Sequence, residues 1–581
     1  MTSADPGAPP PPSPSPSRPA PASGPPAGGD RRGATANAPR AGARPQRGDE
    51  LELTIDGLAY GGEGVARLGE EGYVVFVTGA VPGDRVRAVV HKRKRTYAHA
   101  RAVEVLQPSP ERVPPRAQHP GVPWQVLPYE RQLEIKRAQV HEALTRLGGL
   151  DGFELEAIVP ATEQWRYRNK VEYSFGTGEG GELVCGFHAP AGWNRVVAID
   201  DCLLVSERAN RAREAALRWC RAQGLRPWER SVAERGVGRR SAAGRSAAGG
   251  SAAGRSAAGG SVAERGVAGR GVAGRSVAGR GVAERGVAER GAGGAGGARG
   301  GVRDVAARTG PAPDGRARVR NLVVREGRHT GKLQVRLVST PGELDAGALA
   351  QALKDALGER TLSGVLWTRS ERLAETTGGG DTELVWGEER LPERLGELDL
   401  EISPEAFFQT NTEMAGLLYG VAREYAALQG WERVFDLYCG IGTIALTLAP
   451  HAGELWGIDL VPEAIADAIA SARRNGVAAH FFAGDVRLAL PELVARSGRP
   501  DVIVVDPPRA GLSGKVVRGI ARARPRRVVY ISCNPTTLAP NAAQLAEEGW
   551  RLTRVRPVDM FPHTHHIECV ALFERAGVGP L

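Results

Sequence analysis

The chain has 581 residues, a net charge of +10, 41% hydrophobic residues and six cysteines, at positions 185, 202, 220, 439, 533 and 569. No apolar run reaches the about 18 residues of a membrane span, none follows the first Met, and the cysteines show no CxxC spacing; a transmembrane segment, a secretory leader, a disulfide framework and structural zinc are therefore not expected, and a cytoplasmic location is. Residues 1–48 carry +4 and residues 231–303 carry +9, leaving −3 for everything else, so the basic character lies in the segments least able to fold and does not by itself indicate nucleic acid.

Residues 1–48 form a Pro/Ala/Gly/Ser tail with almost no large apolar side chain to offset chain entropy, and disorder is expected there. From 49 to 106, short alternating runs separated by Gly-containing turns (LELTIDGLAYGGEGVARL, GYVVFVTGAVPGDRVRAVV, HKRKRTYAHARAVEVL) predict a small β-barrel of oligonucleotide-binding type; their order resembles a TRAM domain. Here His91, Lys92, Arg93, Lys94 and Arg95 lie beside Tyr97, giving cations for a phosphate backbone and a ring for a base, so RNA contact is expected. Residues 107–230 and 313–405 predict one α+β domain. Its helix lies in PYERQLEIKRAQVHEALTRLG and ends at Gly148, and its strands lie in KVEYSFG, VCGFHA, RVVAIDDCLL, NLVVREG and KLQVRLVST. Between these halves, residues 231–312 begin with twelve pentads, from SVAER to GVAER at 286–290, ten of them ending in Arg. A period of five matches neither helix nor strand. It reads as a surface insertion, tolerated because closure entropy grows slowly with loop length; an arginine-rich RNA-binding arm is the alternative. From 406 to 581, buried strand-like runs (VFDLYCG, ELWGIDL, AHFFAGD, DVIVVDPP, RRVVYISCNP and a final pair) alternate with helical ones, predicting an α/β, Rossmann-like, doubly wound sheet.

The first chemical motif is Asp436-Leu-Tyr-Cys-Gly-Ile-Gly-Thr443. Glycines at a strand-to-helix turn let the backbone approach a ligand and aim helix N-terminal amides at it. The third glycine of GxGxxG is absent, which weakens a dehydrogenase reading. Asp459, ending the next strand, can accept the ribose hydroxyls of an adenosine ligand, and Asp485, ending the one after, can meet its adenine amino group; taken singly, each Asp equally well caps the following helix. Asp506-Pro-Pro-Arg509 forms a rigid turn without donors from its prolines and presents its Asp to the cleft. Cys533, in Ile-Ser-Cys-Asn-Pro, ends a further strand and is placed as a nucleophile. Asp559-Met-Phe-Pro-His-Thr-His-His-Ile-Glu568 follows. Cys439 and Cys569 read as packing residues, and His563, His565 and His566 lack partners at zinc spacing, so no metal is expected.

In that order, DLYCGIGT, DPPRAGL, ISCNPTTLAPN and DMFPHTHHIE resemble the RNA 5-methyluridine methyltransferase family. YRNKVEYSFG (167–176) and FFQTN (407–411) resemble its central domain and cofactor approach, and the likeness spans 50–230 and 315–575. The resemblance implies an S-adenosylmethionine-dependent methyltransferase domain in which Gln409, Tyr438, Thr443, Asp459 and Asp485 line the cofactor and Asp506 touches cofactor or uracil edge. It also implies a chemistry. Uracil C5 is too weak a nucleophile to attack a sulfonium methyl; a thiolate added at C6 makes an enolate that can, and a base must then remove the C5 proton so that the thiolate leaves. Cys533 fits the nucleophile and Glu568 the base.

Arg509 stands where an RNA cytosine-5 enzyme would carry a second cysteine, which selects uracil, and an adenine-methylating enzyme would favour an aromatic residue after the prolines. A non-catalytic RNA-binding protein on the same fold is disfavoured by retention of both Cys533 and Glu568. Several family members hold an iron–sulfur cluster on four cysteines near the YxxQLxxK helix; here RVPPRAQHPGVPWQVLPYERQLEIK has none, so no thiolate-ligated cluster is expected. The barrel points to ribosomal RNA, 23S by resemblance, ahead of transfer RNA as substrate, and a monomer without a membrane partner is expected.

Overall fold

The computed structural model describes residues 44–69, 72–189, 192–229, 314–373 and 376–575. Most of the tail and the whole pentad insertion, with the expectations attached to them, lie outside those residues. The described chain forms two compact units: one takes residues up to 58 and 63–109, the other 59–62 and everything from 110 onward.

In the first unit β1 (Glu50–Thr54), β2 (Gly57–Leu58), β3 (Gly64–Leu68), β4 (Tyr73–Thr78), β5 (Arg85–Arg93) and β6 (Tyr97–Gln107) form one sheet in the order β1-β5-β6-β4-β3-β2. β1 also lies against β3, so the sheet rolls up on itself. Alternate residues such as Leu51, Leu53, Val75, Val77, Val86, Ala88 and Val90 point inward and make its core, as a period of two requires. The cations at 92–95 are exposed on the β5–β6 hairpin. Beside them Phe76, Tyr97 and His99 form a partly exposed ring cluster, with centroids 5.4 to 5.7 Å apart.

The second unit begins with α1 (Tyr129–Glu142), which runs on as a wider turn to Leu147, and the short β7 (Glu154–Leu155). A central mixed sheet follows: β8 (Lys170–Thr177), β9 (Leu183–Ala189), β10 (Gly192–Ala198), β12 (Arg318–Gly327), β13 (Lys332–Ser339), β14 (Leu362–Arg369) and β15 (Asp381–Gly387), ordered β10-β9-β8-β12-β13-β14-β15. The short β11 (Arg226–Pro227) pairs in parallel with the start of β12, Arg226 opposite Arg318, so strands from either side of the insertion lie next to each other. β8 pairs with β12, which makes one sheet of the sequence on either side of the insertion. The helices α2 (Glu207–Ala222) and α3 (Ala346–Leu357) bury Ala212, Ala216, Leu349 and Leu353 against Leu322, Val324, Val335 and Leu337 of this sheet.

The hairpin β16 (Leu391–Leu395) and β17 (Leu398–Ile402) leads to α4 (Thr412–Ala426). The last sheet contains β18 (Arg433–Leu437), β19 (Glu454–Asp459), β20 (His480–Ala483), β21 (Val502–Val505), β22 (Arg527–Ser532), β23 (Trp550–Val558) and β24 (Glu568–Arg575), in the order β20-β19-β18-β21-β22-β24-β23-β7. The first five are parallel, and β24 and β23 close the far side antiparallel. Between these strands run α5 (Thr443–Leu448), α6 (Pro462–Arg474), α7 (Val486–Ser497), α8 (Gly514–Ala523) and α9 (Pro535–Glu547). Both faces are covered, α4 and α6 on one and α7, α8 and α9 on the other, which is why the strands read as unbroken Val/Ile runs.

Two pieces fall differently from the expected boundaries. α1 and β7 belong by sequence to the stretch expected in the central domain. Yet Val140, Ala143 and Leu144 pack with α9, and β7 pairs with β23. The β16–β17 hairpin, expected in the central domain's second half, buries Leu391, Leu395, Leu400 and Ile402 with α4 in the C-terminal core. An amphipathic segment shows which of its faces is buried, but not which core receives it. Among the described residues no helix is long and apolar enough to cross a membrane.

Candidate active site

The direction of the chain reverses at β18: its successor β19 lies on one side and β21 on the other. A ligand crevice forms outside the carboxyl ends of the strands at such a point. There Tyr438 (φ +69°), Gly440 (φ +54°) and Gly442 (φ +80°) turn the chain sharply into α5. A Cβ at Gly440 would meet nothing within 4 Å, so open space faces the turn. The Asp459 carboxylate accepts the amides of Gly440 (3.0 Å) and Val461 (2.9 Å), tying the β19 end to the glycine turn. Asp485 caps α7 by accepting the Arg487 amide (2.9 Å), and the Arg487 guanidinium grips both its oxygens, holding the carboxyl down at about 2. The capping role open to Asp485 from sequence is the one its carboxylate fills.

Asp436 was not singled out beyond its place in the motif. It is fully buried; one oxygen accepts the Ala445 amide (3.0 Å) and the other has no hydrogen-bond partner. Burial and nearby Asp506 push its carboxyl up to about 8. Asp506 keeps part of its surface open to the cleft, but the protein packed round the rest of it pushes the carboxyl up to about 7. Thr443, at the start of α5, and Gln409 are buried; Thr443 Oγ1 meets the Tyr419 hydroxyl at 3.3 Å.

The two residues expected to do covalent and proton chemistry lie at neighbouring strand ends. In the antiparallel β22–β24 ladder Ser532 pairs with Cys569; Cys533 follows Ser532 just past the end of β22, and Glu568 precedes Cys569 as the first residue of β24. Cys533 is half-exposed, whereas Glu568 is buried. Burial, with Glu568 and Asp506 nearby, pushes the thiol up to about 11 against the pull of Arg509. Burial also holds the Glu568 carboxyl well above its ordinary range. Arg509 reaches His566 at 3.5 Å.

The turns carrying these groups are cross-braced. Asn534 Nδ2 and Thr537 Oγ1 both donate to the Arg509 carbonyl (3.2 and 3.1 Å), joining the DPPR turn to the SCNP turn. Asn541 Oδ1 accepts the Leu512 amide (2.7 Å) and the Tyr530 hydroxyl (3.0 Å). The motifs YRNKVEY and FFQTN meet directly: Asn169 Nδ2 donates to the Gln409 carbonyl (2.8 Å) and the Asn169 amide to the Thr410 carbonyl (2.9 Å). Tyr60, in the segment 59–62 of this unit, donates its hydroxyl to the Cys533 carbonyl at 3.0 Å. In the sequence only a lone Tyr in a Gly-rich turn marks it. Cys439 and Cys569 are buried, in keeping with packing roles. The cysteine-free stretch before α1 is held by Gln125, which accepts the Arg116 amide (2.9 Å) and donates to the Ala117 carbonyl (2.8 Å).

Family models match twice, one described as tRNA (Uracil-5-)-methyltransferase over residues 350–576 and one as the TRAM domain over 44–103. An uncharacterised RNA methyltransferase of Halalkalibacterium halodurans is 31% identical over 534 residues, 91% of this chain and 97% of the relative. One of Chlorobaculum tepidum is 31% identical over 561 residues, 92% and 98% of the two chains. The fold is similar to the crystal structure of Pyrococcus abyssi tRNA (uracil-54, C5)-methyltransferase in complex with S-adenosyl-L-homocysteine, with a TM-score of 0.61 and 24% identity over 90% of this chain and 99% of that one.

Proposed function

This chain belongs to the RNA uracil-5 methyltransferase family, and on that footing we propose that it moves a methyl group from S-adenosylmethionine to C5 of a uridine in ribosomal RNA, through a covalent bond from Cys533 to C6. The observation that carries this reading is Cys533 at the end of β22 beside Glu568 at the start of the neighbouring β24, close enough for the Glu568 charge to act on the thiol. The cofactor, when bound, supplies an electrophilic methyl on a cationic sulfur. The residues at the edge fit such a cation: Asp436 has a buried oxygen without a partner, Asp506 is a second carboxyl nearby, and the turn at Gly440 leaves room. Asp459, Thr443, Tyr438 and Gln409 would line it, and Asp485 would reach it only by sharing its carboxylate with Arg487.

Cys533 is a thiol at rest. As its sulfur closes on C6 its proton passes to solvent, the charge on sulfur eased by Arg509, and the electron pair of C5=C6 passes into an enolate whose C5 can take the methyl. Glu568 then receives the C5 proton, C5=C6 re-forms and the bond between Cys533 Sγ and C6 breaks. Burial suits Glu568 to this step, since a carboxylate with a raised pKa is a stronger base once ionised.

The exposed cations at 92–95 and the Phe76, Tyr97 and His99 rings give RNA charged and stacking contacts on the barrel unit. The Pyrococcus match reaches back into the barrel region and names a tRNA enzyme, so a barrel alone does not choose between RNAs. Nucleoside mass spectrometry of rRNA and tRNA from a strain lacking this gene makes that choice: 5-methyluridine is expected to fall in rRNA, and unchanged levels in both would refute the reading. Cys533→Ala is expected to abolish methylation and leave cofactor binding intact.

A further inference from the structure

The side chains of Tyr129, Gln132 and Lys136, three and four residues apart, share one face of α1. That face is polar yet points into the protein. Lys136 and Asp559 have fully buried side chains and pair at 2.6 Å. Lys136 Nζ also donates to the Phe561 carbonyl (3.1 Å), and the Tyr129 hydroxyl donates to the second Asp559 oxygen (2.8 Å). Gln132 holds His563 twice, Nε2 lying 3.0 Å from Nδ1 and Oε1 accepting the amide at 2.9 Å. All these partners lie in 559–563, the start of the irregular link from β23 to β24, and β24 begins at Glu568.

Such a buried polar set contributes less to stability than well-packed apolar residues would; what it can supply is one definite loop conformation. The link needs one, because it carries His565 and His566 and delivers the chain to Glu568, the first residue of β24. Resting on the reading of Glu568 as the base, we propose that the Tyr129–Gln132–Lys136 face is a clamp that positions Glu568, so that proton removal from C5 depends on it and the earlier thiolate addition and methyl transfer do not.

Uridine and 5-fluorouridine separate these steps. With hydrogen at C5, Glu568 takes the proton and the Sγ–C6 bond breaks; with fluorine there is no proton to take and the adduct persists. The probe is total RNA from a strain lacking this gene, with and without 5-fluorouridine incorporation. Lys136→Met with Asp559→Leu removes both charges together, since removing one would leave the other buried and unpaired. Tyr129→Phe is the milder second variant, and it decides the matter if the double variant does not fold. The double variant is expected to form the fluorouridine adduct within about threefold of the wild-type rate, while turnover on ordinary RNA falls by about a hundredfold and a methylated adduct accumulates. Tyr129→Phe should move in the same direction by about tenfold. Equal loss on both RNAs, or loss on neither, overturns the clamp. Glu568→Gln is the reference: if it accumulates adduct on ordinary RNA and the clamp variants do not, the clamp alone falls. If it accumulates none, Glu568 is not the base and the clamp falls with it.

Discussion

Two carboxyls at the β18 and β21 ends are held close to neutral pH, Asp436 at about 8 and Asp506 at about 7, mainly because burial disfavours their charge. Their folded values lie above the unfolded ones, so they favour the folded chain below the ordinary carboxylate range, and that contribution is lost as pH rises through 7 to 8. Asp506→Asn is therefore expected to raise the Tm of the ligand-free enzyme at pH 8.5 by about 2–4 °C and to leave it unchanged at pH 4, by differential scanning calorimetry. A cation in the crevice reverses the preference. S-adenosylmethionine should bind with proton release and about tenfold more tightly at pH 8 than at pH 6. Isothermal titration in buffers of different ionisation enthalpy measures both; pH-independent affinity would remove these carboxyls from the cofactor site. Cys533, Glu568, Asp459, Asp485 and Asp506 could be proposed from sequence because each sits in or beside a contiguous motif punctuated by Gly or Pro, whereas Asp436 stands out only through its burial in the fold. Gln132, Lys136 and Tyr60 could not, because their partners lie 431, 423 and 473 residues away and nothing local marks them.

At the scale of elements, the DPPR turn depends on α9. Gly511 has φ +74°, and a Cβ there would lie 2.6 Å from Asn541 Oδ1, the atom that fixes the Leu512 amide. Gly511→Ala is expected to cost about 1–3 kcal/mol in urea unfolding and to slow methylation as Arg509 shifts. A stable variant with full activity would show the turn to be held from elsewhere. The parallel strands and their helices were readable because strands covered on both faces give unbroken apolar runs between turn residues. The placement of α1, β7 and the β16–β17 hairpin was not, since a burial pattern of period 3.6 or 2 is the same whichever core receives it.

For the molecule as a whole, the parallel pairing of β11 with β12 requires the chain between them to cross back from the end of one strand to the start of the other, which takes about a dozen residues. Replacing residues 231–312 with a Gly/Ser linker of about 15 residues is expected to leave Tm nearly unchanged and turnover on RNA within about twofold of wild type, since loop length enters only logarithmically once the crossover is spanned. A fall in RNA affinity that grows steeper at low salt would instead favour the arginine-arm reading. The clamp on the 559–563 link has a further consequence, one of timing. Lys136 leaves the ribosome 423 residues before Asp559. At about 5–20 residues per second, α1 waits on the order of 20–80 s with its polar face unpartnered. Glu568 is synthesised only nine residues after Asp559, so the proposed base and the contact proposed to position it arrive together near the end of translation. On the proposed roles, the barrel that would contact RNA is complete long before the residues that would modify it.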